Sequence, residues 1–291
     1  MPLLKKHIFL IVALTVFTAG ALFFVQKTPY VPEKFLTNEA PTVAEDEVTT
    51  VASVEKEVST ATPLQGSFAP SDGELTVFGT ILETNKHRAL FSLPPLSFNA
   101  KLAAAADAKA RDMIARQYFE HESPDGIGPD GLADAAGYDY LAVGENLALG
   151  NYEDDAELVA AWMDSPGHRE NILGTQYTEI GVAVVEGSFE GHRTWFAVQE
   201  FGRPASDCPP PDTVLEARID SSEQTLEETE RFLEEMLEEI ENTQPKRGSA
   251  YNEKVEVYNE LVTSYNKLLT ETKELIAIYN GQVDEYNECV Q

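Results

Sequence analysis

The chain has 291 residues, with 21 Lys+Arg against 50 Asp+Glu and a net charge of −29. Such a surface repels phosphate backbones, which excludes nucleic-acid partners, and it offers no polybasic grip on anionic lipid. Hydrophobic residues reach 43%, enough for a packed core, whereas two cysteines are too few for a disulfide framework or a Cys-rich zinc module.

Lys5, Lys6 and His7 precede an apolar run from Ile8 to Val25. As a helix that run rises about 27 Å, just short of a full hydrocarbon core. Bulky Leu22, Phe23, Phe24 and Val25 follow directly on the small residues Thr18 to Ala21, so residues 1–27 read as an uncleaved signal-anchor. A cleaved signal peptide is the alternative. Either one exports the rest of the chain, because the positive charges stay in the cytoplasm. The expected location is the cytoplasmic membrane, single-pass with the bulk outside, or the exterior after cleavage. Residues 28–70 carry Pro, Thr, Val, Glu and Ala with no helical or strand period, which predicts an acidic disordered linker.

Residues 71–202 have the pattern of a globular domain. Ser71 and Asp72 read as the cap of a helix with apolar positions Leu75, Phe78, Ile81, Leu82 and Leu90. Pro94 and Pro95 stop it. Asn99 reads as the next cap, before a helix whose face is Leu102, Ala106, Ala110, Met113 and Ile114. Ser123 to Gly150 is punctuated by Gly and Pro, which predicts turns around one short helix, Leu132–Ala136. Asp154–Met163 predicts a helix with Ala156, Val159, Ala160, Trp162 and Met163 inward, and Ser165-Pro166 starts another that runs through Leu173. Glu179–Val185 and Thr194–Phe201 read as a strand hairpin. Helices plus an antiparallel sheet make the class α+β.

Four polar stretches resist a core explanation: His121 just past a helix end, Glu145 in a turn within Gly144-Glu145-Asn146, His168 in the first turn of a helix, and Glu179 at the start of the sheet. They belong to a longer string: Asn85-x-x-Arg88, Leu93-x-x-Leu96, Asp112-Met113, Tyr118-Phe119-x-His121, Gly144-Glu145-Asn146, Trp162-Met163-x-Ser165-Pro166-Gly167-His168-Arg169, Thr178-Glu179-Ile180-Gly181 and Gln199-x-Phe201-Gly202. That string resembles the CAP superfamily, or SCP domain, in its bacterial secreted form. The resemblance implies a three-layer α-β-α sandwich. It also implies a cleft that in the animal and plant branch holds two histidines and two acidic residues. His121 and Glu145 fall on two of those positions. The other acidic position falls on Ser165 and the other histidine position near Gln176, so His168 and Glu179 become the candidates for the second imidazole and second carboxylate.

Three chemistries fit His121, His168 and Glu145. Two imidazoles and a carboxylate suffice for an open zinc or other divalent-metal site, whose bound water would support hydrolysis. No His-Glu-x-x-His helix is present to fix two ligands. A second reading makes the same residues a structural polar network, and a third a ligand cleft. The resulting expectation is a non-catalytic, envelope-associated binding module, with a metal-assisted hydrolase as the alternative. The resemblance adds lipid or sterol, glycan and protein as ligand classes.

Beyond Pro209-Pro210-Pro211 the composition changes. Ile219, Leu226, Leu233 and Ile240 recur every seven residues, as do Val255, Val262, Leu269, Ile276, Val283 and Val290 after a Pro245-Lys246-Arg247-Gly248 turn. Heptads of this kind predict an antiparallel helical hairpin over residues 203–291, available for self-association or as the working part of the molecule. Folding about residue 246 brings Cys208 near Cys289, which in an exported chain predicts a disulfide.

Overall fold

The structure is a computed structural model, and it describes residues 48–290. The apolar run Ile8–Val25 lies outside those residues. Among the described residues no helix is long and apolar enough to cross a membrane.

The chain divides into two compact units. Among the described residues, one holds 48–217 and 275–290 and the other holds 218–274. The first is an α+β sandwich around one mixed sheet, with strand order β1-β4-β6-β5-β3. Its strands are β1 Glu57–Thr60, β2 Leu64–Gln65, β3 Ser97–Phe98, β4 Tyr140–Gly150, β5 Glu179–Phe189 and β6 His192–Pro204. β4, β6 and β5 form an antiparallel core, while β1 and β2 run parallel to β4 along its outer edge. Helices α1 Val77–Leu90, α4 Asp155–Asp164 and α5 Pro166–Leu173 belong to one side; α2 Ala100–Arg116 and α3 Pro129–Ala135 belong to the other.

Strand alternation sorts the core into these layers. Ala142 and Ala148 of β4 and Ala197 and Phe201 of β6 join Leu158, Val159, Trp162 and Ile172. Leu147, Leu149, Phe196 and Val198 join Ala106, Ala110 and Met113 of α2. The alanines let α2 lie close to the sheet, and Gly181 is where they meet: a Cβ there would strike the backbone of Leu102 and Ala103.

Several expectations change. The linker is not free of structure over 48–70, because β1 and β2 join the sheet through backbone pairing that leaves no hydrophobic period in the sequence. α1 starts at Val77, with Thr76 capping the amide of Gly79. Its buried face is Thr80, Thr84 and Arg88, and Phe78 (77% exposed) and Leu90 (78%) point outward. Polar groups can fill that face because each is bonded. Thr80 and Thr84 donate to carbonyls one turn back, and Arg88 donates to the carbonyls of Pro94, Ile172 and Gly174 at 2.8–2.9 Å. In α4, Leu158 is buried while Ala156 and Ala160 are exposed. Asn99 caps α2 as expected.

The C-terminal helices are α6 Thr213–Asn242 and α7 Ser249–Val290. Within residues 218–274, the heptad positions Ile219, Leu226, Ile240 and Leu269 are buried and Leu233, Val255 and Val262 half-buried, and Lys254 pairs with Glu239 at 2.6 Å. Residues 203–217 and 275–290 group with the sandwich rather than with this unit. There the Cys208–Cys289 disulfide closes a separation of 81 residues, and Arg203 donates to the Cys289 carbonyl at 3.0 Å. A loop of that size stabilises the fold by roughly 4 kcal/mol in the chain-entropy model. Replacing both cysteines by serine is expected to lower the unfolding free energy by about that amount, measured by urea titration of the oxidised parent and the variant.

Candidate functional site

Glu145 and Asn146 lie in mid-strand, not in a turn. β4 is buried along its whole length, so it lacks the alternation that identifies a half-buried strand, and its glycines and polar residues imitate a turn. Adjacent residues of a strand point to opposite faces, so these two serve different layers. A Cβ at Gly144 would strike the Tyr177 ring, which explains the glycine in this run.

On the α2 side, Glu145 is fully buried and its Cα partner across the sheet is Glu200, also buried. Two carboxyl groups so placed cannot both ionise cheaply. Burial first, then the charge of Glu145 and a hydrogen bond to it, hold the Glu200 acid well above its ordinary value, and Lys109 opposes them. Glu200 is therefore the protonated partner and donates to Glu145. The second donor to Glu145 is His121, whose Nδ1 lies 2.6 Å from Oε1. The other ring nitrogen, Nε2, bonds the carbonyl oxygen of Ala61 in the segment between β1 and β2. Lys109, buried on α2, donates to the carbonyl of His121 and stands beside Tyr118. Burial lowers its pKa while Glu145 and Glu200 raise it.

On the other side, Asn146 faces Gln199. Asn146 donates to the His168 carbonyl and to Gln199, each at 3.1 Å, while Gln199 donates to Thr84 at 2.7 Å. Asn171 donates to Asn146 at 3.0 Å and to the Glu145 carbonyl at 3.2 Å. His168 is completely buried, with Nδ1 2.8 Å from the Ser165 hydroxyl. Ser165 thus occupies the cap position of α5 but spends its side chain on His168. Burial, with His121 second, pulls the His168 pKa down to about 4. The Leu147 carbonyl opposes this, yet Nε2 makes no hydrogen bond of good geometry.

The structure therefore joins His121 directly to Glu145 and places His168 on the opposite layer, near enough to sense His121. Glu145 and His168 are closed off from solvent, so the ligand cleft expected around His121, Glu145 and His168 is not open at those two residues. Glu179 stands apart from them, accepting from Asn99 at 3.0 Å and Tyr138 at 2.8 Å. Neither do the residues fit the zinc or divalent-metal set of His121, His168 and Glu145. Both nitrogens of His121 are engaged by oxygens, and no group of three His, Cys, Asp or Glu side chains among the described residues is arranged to hold a metal.

Sequence reasoning missed Glu200 and Lys109. Lys109 lies on the apolar stripe Leu102–Ala106–Met113 of α2, a place where a charge needs partners. Glu200 is the unspecified residue of Gln199-x-Phe201, and only the strand register shows that it opposes Glu145.

Residues 82–201 match the family model described as CAP: Cysteine-rich secretory protein family. The chain is 42% identical over 103 residues to the Uncharacterized protein YkwD of Bacillus subtilis (strain 168), covering 35% of this chain and 40% of that protein. It is 33% identical over 101 residues to the Uncharacterized membrane protein YlbC of the same organism, covering 35% and 29%. The matched stretch thus spans less than half of either relative. A solved extracellular protein containing a SCP domain from Bacillus anthracis str. Ames is similar over 44% of this chain and 40% of that one, at 28% identity and a TM-score of 0.38.

Two titrations follow. His168 has its folded pKa below the ordinary 6.5, so the unfolded chain takes up the proton first and stability falls between about pH 6.5 and about 4. Glu200 has its folded pKa above the ordinary 4.5, so its effect is absent below that pH and stability falls as pH rises beyond it. Glu200→Gln keeps a donor toward Glu145 and removes the buried acid. It is expected to be more stable than the parent at pH 8 by about 1 kcal/mol and no more stable at pH 4, measured by thermal melts.

Proposed function

We propose that the CAP domain over residues 82–201 serves as a non-catalytic, envelope-associated binding module outside the cytoplasm, tethered by the apolar run Ile8–Val25. The observation that carries this reading is the state of His121. A catalytic base or metal ligand needs a free ring nitrogen, and here Nδ1 faces Glu145 and Nε2 faces the Ala61 carbonyl. The imidazole acts as a two-ended clamp between the sheet and its edge. His168, buried and held by Ser165, has no route to a substrate. The Cys208–Cys289 bond suits an oxidising compartment, and the name of the YlbC relative describes a membrane protein.

The test is a pair of variants, His121→Ala and His168→Ala, melted beside the parent, with metal content measured on protein made without chelators or a histidine tag. Removing one partner of a buried hydrogen-bonded network costs about 2–3 kcal/mol, so each melting temperature is expected to fall by roughly 5–10 °C with no stoichiometric metal in any sample. Unchanged melting together with zinc that disappears from the variants would overturn this reading in favour of a metal site.

A further inference from the structure

We infer that the outer edge of β4 is a binding groove for an extended peptide strand, and that residues 57–65 fill it in cis as a displaceable strap. The inference rests on the binding-module reading and names its partner class.

The groove is made by the domain. Its floor is the β4 edge, its polar grips are His121 and Asn171, and its wall is Gly167 at the start of α5; all lie within residues 82–201. The occupant comes from outside that stretch. Glu57–Thr60 pairs in parallel with Ala142–Glu145, the chain leaves the edge, and Leu64–Gln65 pairs with Ala148–Leu149. Asn146 and Leu147, opposite the break, have no strap partner.

The contacts are those of peptide recognition by strand addition, in which backbone bonds supply affinity and a few side-chain pockets supply selectivity. Ser59 donates to Asn171 at 2.8 Å, and the Ala61 carbonyl meets His121. Ala61 is the one buried residue between positions 48 and 74. A Cβ on Gly167 would come within 3.1 Å of the Ala61 methyl, so the pocket takes a small side chain and nothing larger. The rest of the strap is half-buried or exposed: Glu57, Val58 and Thr60 face solvent. The Ala61 methyl, the partly buried Leu64, two side-chain hydrogen bonds and a short ladder are a modest hold for nine residues, because each ordered residue costs on the order of 1 kcal/mol of backbone entropy. Edge segments with few buried apolar contacts open before the core does. The strap is thus placed to exchange with an extended segment of another chain that carries Ala, Gly or Ser where Ala61 now sits.

The test uses the full chain and a fluorescent synthetic peptide of residues 54–68. Ala61→Arg makes the strap too large for its own pocket. The variant is expected to keep its near-ultraviolet circular dichroism and to bind the peptide, by anisotropy, about a hundredfold more tightly than the parent, whose groove is occupied. The same peptide carrying Ala61→Arg is expected not to bind. In the parent, hydrogen exchange of the strap amides, Gly66 included, is expected to run at least about tenfold faster than exchange in the β4–β6 ladder. A folded Ala61→Arg chain that ignores the peptide overturns the inference. So does a variant that unfolds, or strap amides that exchange only with the core, since each makes residues 57–65 an integral strand. These outcomes are independent of the His121→Ala and His168→Ala melts, so the peptide groove and the non-catalytic reading fail separately.

Discussion

The sandwich turns on a buried acid that must be neutralised. Glu145 lies in the middle of a strand covered on both faces, opposite a second carboxyl, and is fully buried. An unpaired charge at that depth would cost several kcal/mol. Three groups remove the cost: the protonated acid of Glu200, the ring of His121 and the ammonium of Lys109. Each arrives from a different element, so the cluster fixes the register of β4 against β6, the seat of α2, and the loop that follows α2. The same demand carries outward, because His121, once held by Glu145, presents its other nitrogen to Ala61.

A second network on the opposite face does comparable work without charge. Thr84, Gln199, Asn146 and Asn171 pass donors and acceptors from α1 through two strands to α5. Asn85 adds a loop clamp, exchanging two hydrogen bonds with the backbone of Leu96 at 2.8–3.0 Å. Arg88 closes three carbonyls in the same region. Most of the polar residues in the string from Asn85 to Gln199 thus have structural work: they satisfy buried backbone or one another. Buried polar groups of this kind are costly when half-satisfied, and that is reason enough for a sequence to keep them together.

Much of this was legible before the structure. The cap at Asn99, the helix that begins near Asp154, the hairpin of β5 and β6 and the heptads follow from local spacing, and the cysteine pairing from folding the chain back about residue 246. What was not legible depended on register or on backbone. β4 reads as turns because Gly144, Glu145, Asn146 and Gly150 break any period, and only its neighbours show that both faces are covered. Residues 57–65 read as linker because an edge strand that bonds through its backbone needs no apolar pattern. Glu200 could not be matched to Glu145 without the β4–β6 pairing. The polar face of α1 defeats a hydrophobic count, since Thr80, Thr84 and Arg88 are inside and Phe78 is out.

The central claim is that His121 and Glu145 act as one structural unit, and a double-mutant cycle addresses it most directly. Unfolding free energies would be measured by urea for the parent, His121→Ala, Glu145→Gln and the double variant at one pH. The account predicts strong non-additivity, with a coupling energy of about 1–3 kcal/mol, because either single change already disables the pair. Single effects that add to within about 0.5 kcal/mol would contradict it, leaving the imidazole and the carboxylate as neighbours with separate roles.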